Sequence, residues 1–116
     1  MENFRRGDVV RVPFPYTDKE TRQRRPALIV SPGTIGEDGD LLWVVMITSA
    51  ENRIWPGDVV IPNHASAGLP APSVVRTLKI ATIETRHAEQ LGQISQITLK
   101  SVMSEIQLLV SKTSEP

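Results

Sequence analysis

The sequence predicts a mostly β domain: a small, strongly twisted β-barrel closed by one C-terminal α-helix. Short apolar segments alternate with turns rich in Gly, Pro and Asp, and helical periodicity occurs near the C-terminus alone. Aromatic residues make up 4% of the chain. The core therefore has to be built from Val, Ile and Leu, which favour strands.

Five predicted strands are apolar runs that end at turn signals. They cover residues 9–14, 26–31, 41–47, 58–61 and 74–83, the last as one strand or two. The second run is almost continuously apolar, which is typical of a strand covered on both faces. Pro13 and Pro15 cannot donate to a ladder, so the first strand is expected to end early or to lie at an edge. Residues 15–24 are predicted to form an exposed loop, and residues 64–73 an irregular connection.

The predicted helix is amphipathic and begins near Ser95 or Thr98, either of which is a candidate N-cap. Its apolar face is expected to contain Leu99, Val102, Met103, Ile106 and either Leu109 or Val110.

Composition limits the functions that are open to the chain. Its 116 residues fit one domain, residues 1–116. The absence of cysteine excludes a disulfide scaffold, a thiolate zinc site and a cysteine nucleophile. No His-x-x-x-His pair or carboxylate cluster is present, so no metal and no cofactor are expected. With no signal pattern and no apolar run near the ~18 residues of a membrane span, a cytoplasmic protein without membrane contact is expected.

Charge is balanced overall but uneven along the chain. Thirteen basic residues offset thirteen acidic ones, whereas a protein that wraps duplex DNA is normally basic. The first quarter of the chain is locally basic, with Arg5, Arg6, Arg11, Lys19, Arg22, Arg24 and Arg25. A local basic face on a neutral protein suits a short anionic ligand better than a long duplex.

Three segments together resemble the MazF/PemK toxins: residues 6–15 (RGDVVRVPFP), 25–31 (RPALIVS) and 45–49 (VMITS). Weaker similarity continues through residues 58–60, 67–69, 73–76 and 91–94. The resemblance implies an SH3-like barrel of the CcdB/PemK type with a C-terminal helix. It also implies a homodimeric, metal-independent endoribonuclease of a type II toxin–antitoxin pair. Such an enzyme cleaves single-stranded RNA to 2′,3′-cyclic phosphate and 5′-hydroxyl ends and is bound by a cognate antitoxin.

By position, the resemblance makes Arg25 the catalytic arginine and Thr48 the catalytic hydroxyl, and Glu20 falls where some members carry a glutamate. The planar guanidinium matches two phosphate oxygens and stays charged, which suits stabilisation of a phosphorane. Some members also carry an Asp two residues after the position of Arg76. Leu78 occupies that position here, so it offers no carboxylate.

Further residues are candidates for RNA contacts. They are Arg24, Ser49, Arg76, Lys79 and Trp55, with Ser49 the substitute hydroxyl if the strand register differs by one residue. Trp55 lies in a loop, where an indole can stack on a base. Trp43 lies inside an apolar strand and is expected in the core, whereas His64 and His87 are expected to be ordinary loop residues.

Two alternative functions fit the same barrel. One is a CcdB-like toxin that binds DNA gyrase without catalysis, and the other is an inactive relative, which the missing carboxylate at Leu78 favours. The pairing of Arg25-Pro26 with Ile47-Thr48 favours the nuclease, because a gyrase binder does not need it.

Overall fold

The computed structural model describes residues 3–15 and 23–112. Within these ranges strands dominate and one α-helix follows them, so the predicted class is confirmed. The strands are β1 (Asp8–Phe14), β2 (Gln23–Ile29), β3 (Leu41–Ser49), β4 (Asp58–Ile61), β5 (Ser73–Glu84) and β6 (Glu89–Gln93). A 3₁₀ turn (Thr85–His87) precedes β6, and α1 (Gln96–Ser111) follows it.

The strands form one curled antiparallel sheet in the order β4-β5-β3-β2-β1-β6. Register shifts between Val9 and Val10 and between Val45 and Met46 mark bulges, which increase the local twist. The segment predicted as one strand or two is the single strand β5. β6 pairs with β1 only as far as Arg11, so Pro13 lies where β1 has a neighbour on one side alone.

Both faces of the central strands are buried, as the continuous apolar runs predict. One core lies between the sheet and α1, and it includes Val9, Leu28, Val45, Ile47, Leu99 and Val102. The other lies on the opposite face of the strands, and it includes Val10, Ala27, Ile29, Val44 and Met46. Successive residues of one strand therefore enter different cores, because side chains alternate across a sheet.

β6 carries no strand signal in the sequence, because its five residues EQLGQ contain one large apolar side chain. Its position depends instead on a close backbone approach. A Cβ built on Gly92 would lie 2.5 Å from the carbonyl carbon and oxygen of Ala67. Gly92 therefore allows the turn that ends at Gly68 to pack directly against β6.

Two predicted core positions are wrong. Trp43 is 51% exposed, although it points to the same face of β3 as the buried Val45 and Ile47. The reason is its position near the start of β3, beyond the packed core. Leu109 is also exposed, and Val110 is 80% exposed. The helix contacts with the core end at Ile106, so its last turn extends past the sheet. Within residues 3–15 and 23–112, no helix is long and apolar enough to cross a bilayer.

The N-cap of α1 is Ser95, one of the two predicted candidates. Its Oγ accepts a hydrogen bond from the Thr98 amide at 3.2 Å. We expect Ser95→Ala to lower the free energy of unfolding by about 1 kcal/mol, because that amide loses its partner. Ser104→Ala is the matched control, since Ser104 is exposed in the middle of the same helix, and its effect should stay within about 0.5 kcal/mol. Urea denaturation measures both, and equal losses would contradict the capping role.

Candidate functional site

Arg25 and Thr48 face each other across β2 and β3. The register pairs Ala27 with Met46, and continuing it by two residues sets Arg25 opposite Thr48 on the same face of the sheet. Arg25 Nη2 donates to Thr48 Oγ1 at 3.5 Å, a long and therefore weak hydrogen bond. The structure thus brings the two predicted catalytic residues together.

The pair opens onto a cavity of about 150 Å³. Its opposite wall is largely apolar and includes Leu69, Pro70 and Pro72. Arg25 Nε is buried and has no hydrogen-bond partner among the described residues. A buried donor without a partner is costly, so an anionic ligand that accepts from Arg25 would improve the energy of this site.

The geometry of the pair suits a phosphate oxygen. Thr48 is buried apart from its opening onto the cavity, and its hydroxyl can donate one hydrogen bond. Charge-assisted hydrogen bonds are about 2.7–2.9 Å long, so two donors 3.5 Å apart can both reach one oxygen atom. The arrangement can therefore bind and stabilise an oxyanion.

Asn52 is a site residue that the sequence analysis missed. Its Nδ2 donates to Thr48 Oγ1 at 2.7 Å, much shorter than the bond from Arg25. The backbone turn that follows β3 brings it there, because the Asn52 amide donates to the Ser49 carbonyl at 3.1 Å. The one sequence signal was an Asn in a polar loop, which favours a turn but does not indicate its partner.

Arg76 is engaged inside the protein and does not line the cavity. Its side chain is 8% exposed and forms a bidentate ion pair with Asp58, at 3.2 and 2.9 Å. Its Nη2 also donates to the Arg53 carbonyl at 2.7 Å, and its guanidinium carbon lies 4.4 Å from the centre of the Trp55 ring. Its predicted contact with RNA phosphate stays a prediction.

The pKa of Asp58 is lower than that of an ordinary aspartate. Burial alone raises this pKa, because the charged form loses its hydration. The hydrogen bond and the positive charge of Arg76, together with the hydrogen bond from the Trp55 amide at 2.9 Å, outweigh that effect. Asp58 is therefore ionised at neutral pH, and the pair holds the loop between β3 and β4 at two points, Asp58 at the Trp55 amide and Arg76 at the Arg53 carbonyl.

Of the other predicted RNA-contacting residues, Ser49 lines the cavity beside Arg25 and Thr48, whereas Lys79 and Arg24 do not. Ser49 lines the cavity, and its Oγ accepts from the Glu51 amide at 3.1 Å. Lys79 Nζ lies 5.5 Å from the centre of the Trp55 ring. Arg24 alternates to the other face of β2, where it contacts Glu89 at 3.4 Å, so the structure does not bring it to the cavity.

Three remaining predictions concern possible proton-transfer groups. Glu20 lies outside the described residues. Leu78 is exposed on β5, and His64 and His87 are not among the residues that line the cavity. In the described part of the chain, no three His, Asp or Glu side chains are grouped so that they could hold a metal ion.

The sequence match defines the class of protein. Residues 5–110 match the family described as PemK-like, MazF-like toxin of type II toxin–antitoxin system. This match covers most of the chain, and the chain belongs to the MazF/PemK toxin family, as the resemblance predicts. No curated protein matches the sequence significantly.

Solved structures of MazF proteins share the fold. MazF from Deinococcus radiodurans is 26% identical, with a TM-score of 0.77 over 95% of this chain and 98% of that one. A MazE–MazF complex from the same organism is 23% identical, with a TM-score of 0.73 over 97% of this chain and 100% of that one. An endoribonuclease in complex with its cognate antitoxin, from a mycobacterial species, is 19% identical, with a TM-score of 0.73 over 97% and 99%. These matches confirm the predicted barrel and give no support to the CcdB-like alternative.

The ion pair of Asp58 and Arg76 should contribute strongly to stability. We expect Asp58→Asn to lower the free energy of unfolding by about 3–5 kcal/mol, because it leaves a buried guanidinium without a counter-charge. Arg86→Gln is the matched control: Arg86 contacts Glu84 at 2.8 Å, but its side chain is 74% exposed, so its loss should be below about 1 kcal/mol. Denaturant titration at pH 7 measures both.

The same pair predicts how stability varies with pH. The pKa of Asp58 is lowered in the folded state, so its contribution is present above the unfolded pKa near ~3.9 and is lost as the pH falls through the folded pKa. The stability difference between the wild type and Asp58→Asn should therefore shrink below about pH 4. A difference that is independent of pH would contradict this role of the Asp58 charge.

Proposed function

We propose that this MazF/PemK toxin is a sequence-specific, metal-independent endoribonuclease that cleaves single-stranded RNA. One observation carries the proposal: Arg25 and Thr48 converge on a cavity while the Arg25 Nε has no partner among the described residues. Family membership supports the same activity, because a structural neighbour in a complex with its antitoxin is described as an endoribonuclease.

The reaction proceeds by internal attack of the RNA 2′-oxygen on the adjacent phosphorus. A bond forms between phosphorus and the 2′-oxygen, and the bond between phosphorus and the 5′-oxygen breaks. The 2′-hydroxyl loses its proton to a base, and the leaving 5′-oxygen takes up a proton. The products are a 2′,3′-cyclic phosphate and a 5′-hydroxyl. The substrate supplies the nucleophile, so this step requires no metal-bound water.

Arg25 and Thr48 stabilise the negative charge that develops on the phosphorane. A preorganised donor of this kind contributes about 3–4 kcal/mol in comparable sites. Arg25 acts electrostatically, because a group with a pKa above ~12 is a poor base near neutral pH. Glu20 remains the proposed base, since Leu78 provides no carboxylate at the position that other members use.

RNA flanking the scissile phosphate contacts the loop after β3 and the nearby part of β5. Trp55 offers an aromatic surface for a base, and Lys79 and Ser49 contact phosphate or ribose oxygens. Arg24 contacts the RNA farther from the scissile phosphate, on the face of the sheet where Arg24 lies beside Glu89. Arg76 contributes by holding Trp55 in place, which its cation–π contact with the ring supports.

A cognate antitoxin is the proposed protein partner. The structural neighbours include a MazE–MazF complex and an endoribonuclease in complex with its cognate antitoxin. An antitoxin that covers the Arg25–Thr48 cavity would exclude RNA from it. We place the toxin in the cytoplasm, where its mRNA substrates occur.

Arg25→Ala should lower the rate of RNA cleavage by about 10²–10³-fold, because one preorganised charged donor is lost. Arg25→Lys keeps the charge but loses the planar fork, and we expect it to remain at least about 10-fold below the wild type. The assay uses an unstructured RNA in EDTA, with chemical mapping of the cut ends.

Arg86→Gln is the control for loss of an exposed arginine, and it should cleave at the wild-type rate. Absence of cleavage by the folded wild type would favour the inactive relative. Cleavage that survives Arg25→Ala, or that requires a divalent ion, would overturn the proposed site.

We expect the toxin to be a homodimer, because two small barrels side by side form a groove long enough for several nucleotides. Light scattering at micromolar concentration should give twice the 12.8 kDa mass of one chain. A mass of one chain under these conditions would contradict the dimer.

A further inference from the structure

Both acceptor positions of the Thr48 hydroxyl are occupied by donors. Asn52 Nδ2 donates to Thr48 Oγ1 at 2.7 Å, and Arg25 Nη2 donates to the same oxygen at 3.5 Å. A hydroxyl group has two lone pairs and one hydrogen, so these two bonds use its acceptor capacity. The hydrogen of Thr48 must then point away from both nitrogens.

Thr48 lines the cavity, so a hydrogen that points away from both nitrogens can point into it. We propose that Asn52 is a positioning residue, which holds the Thr48 hydroxyl so that its hydrogen points at the scissile phosphate. The inference rests on the proposed ribonuclease function. It assigns to Asn52 no contact with the reacting atoms themselves.

The backbone around Asn52 is held in place from both sides. On the N-terminal side, the Asn52 amide donates to the Ser49 carbonyl at 3.1 Å, and the Glu51 amide donates to the Ser49 hydroxyl at 3.1 Å. After it, the carbonyl of Arg53 accepts from Arg76 at 2.7 Å. The amide side chain is thus presented by a braced turn, which is what a positioning role requires.

The bond from Asn52 has a specific consequence for catalysis. Arg25 is only a donor, and its bond to Thr48 is long, so Arg25 alone restrains the hydroxyl weakly. Without Asn52 the hydroxyl hydrogen can occupy three staggered positions, of which one points at the phosphate. Removing Asn52 should therefore lower the rate less than removing the hydroxyl itself.

The test is a double-mutant cycle on an RNA oligonucleotide that contains a cut site mapped with the wild type. We expect Asn52→Ala to lower kcat about 3–10-fold, with KM changed less than about twofold. In the background of Thr48→Val, which has no hydroxyl, Asn52→Ala should change kcat less than about twofold. In the background of Thr48→Ser, which keeps the hydroxyl, its full effect should return.

Asn52→Asp tests the direction of the hydrogen bond with an almost isosteric side chain. An ionised carboxylate can only accept, so it turns the Thr48 hydrogen away from the phosphate. We expect Asn52→Asp to lower kcat about as far as Thr48→Val does, about 10²-fold or more. Asn63→Ala is the matched control, since Asn63 also bonds within a loop turn but lies outside the cavity, and it should leave kcat unchanged.

The outcomes separate this inference from the proposed function. If the folded wild type cleaves no RNA, the proposed function fails. If the wild type cleaves and Arg25→Ala does not, the function stands and the cycle decides on Asn52. Equal effects of Asn52→Ala with and without the Thr48 hydroxyl, or wild-type kcat in Asn52→Asp, would overturn the positioning role. Melting temperatures close to the wild type exclude unfolding as the cause of a loss.

Discussion

The register between β2 and β3 is the constraint on which the candidate site depends. Leu28 packs in the core beneath the helix and Ala27 in the core on the opposite face, so a slip of one residue would exchange the side chains of both cores. Because both faces are apolar, side-chain volume excludes the slipped register: Leu28 would overfill the site of Ala27, and Ala27 would leave a cavity in the site of Leu28. Since the same register sets Arg25 opposite Thr48, the hydrophobic cores determine the distance between two polar groups at the end of the strands.

The ion pair of Arg76 and Asp58 extends this constraint to the loop between β3 and β4. A charge buried in a small domain is costly unless its hydrogen bonds are satisfied, and here both partners are satisfied by each other and by the loop backbone. The pair therefore ties the course of the loop to the sheet. Asn52 and Trp55 both lie on this loop. The ion pair therefore influences the positions of residues near the cavity, although neither Arg76 nor Asp58 lines the cavity itself.

The sequence was informative where structure depends on local pattern. Alternation and turn residues predict the strands, and the hydroxyl of Ser95 predicts a helix start, because these signals are contained in a few consecutive residues. The engagement of Arg76 was not predictable, since it depends on the pairing of two strands separated in sequence. The exposure of Trp43 has a similar cause. Alternation predicts the face of the sheet to which a side chain points, but it does not predict how far along that face the helix extends.

Two arginines on the same face of the sheet differ in how far the described residues satisfy them. Arg76 has a carboxylate, a carbonyl and an indole ring as partners, and its charge is neutralised within the fold. Among the described residues, Arg25 has one long bond to a hydroxyl, and its buried Nε has no partner. A partly desolvated guanidinium interacts with an anion more strongly than an exposed one does, because the field beside an apolar wall is less screened.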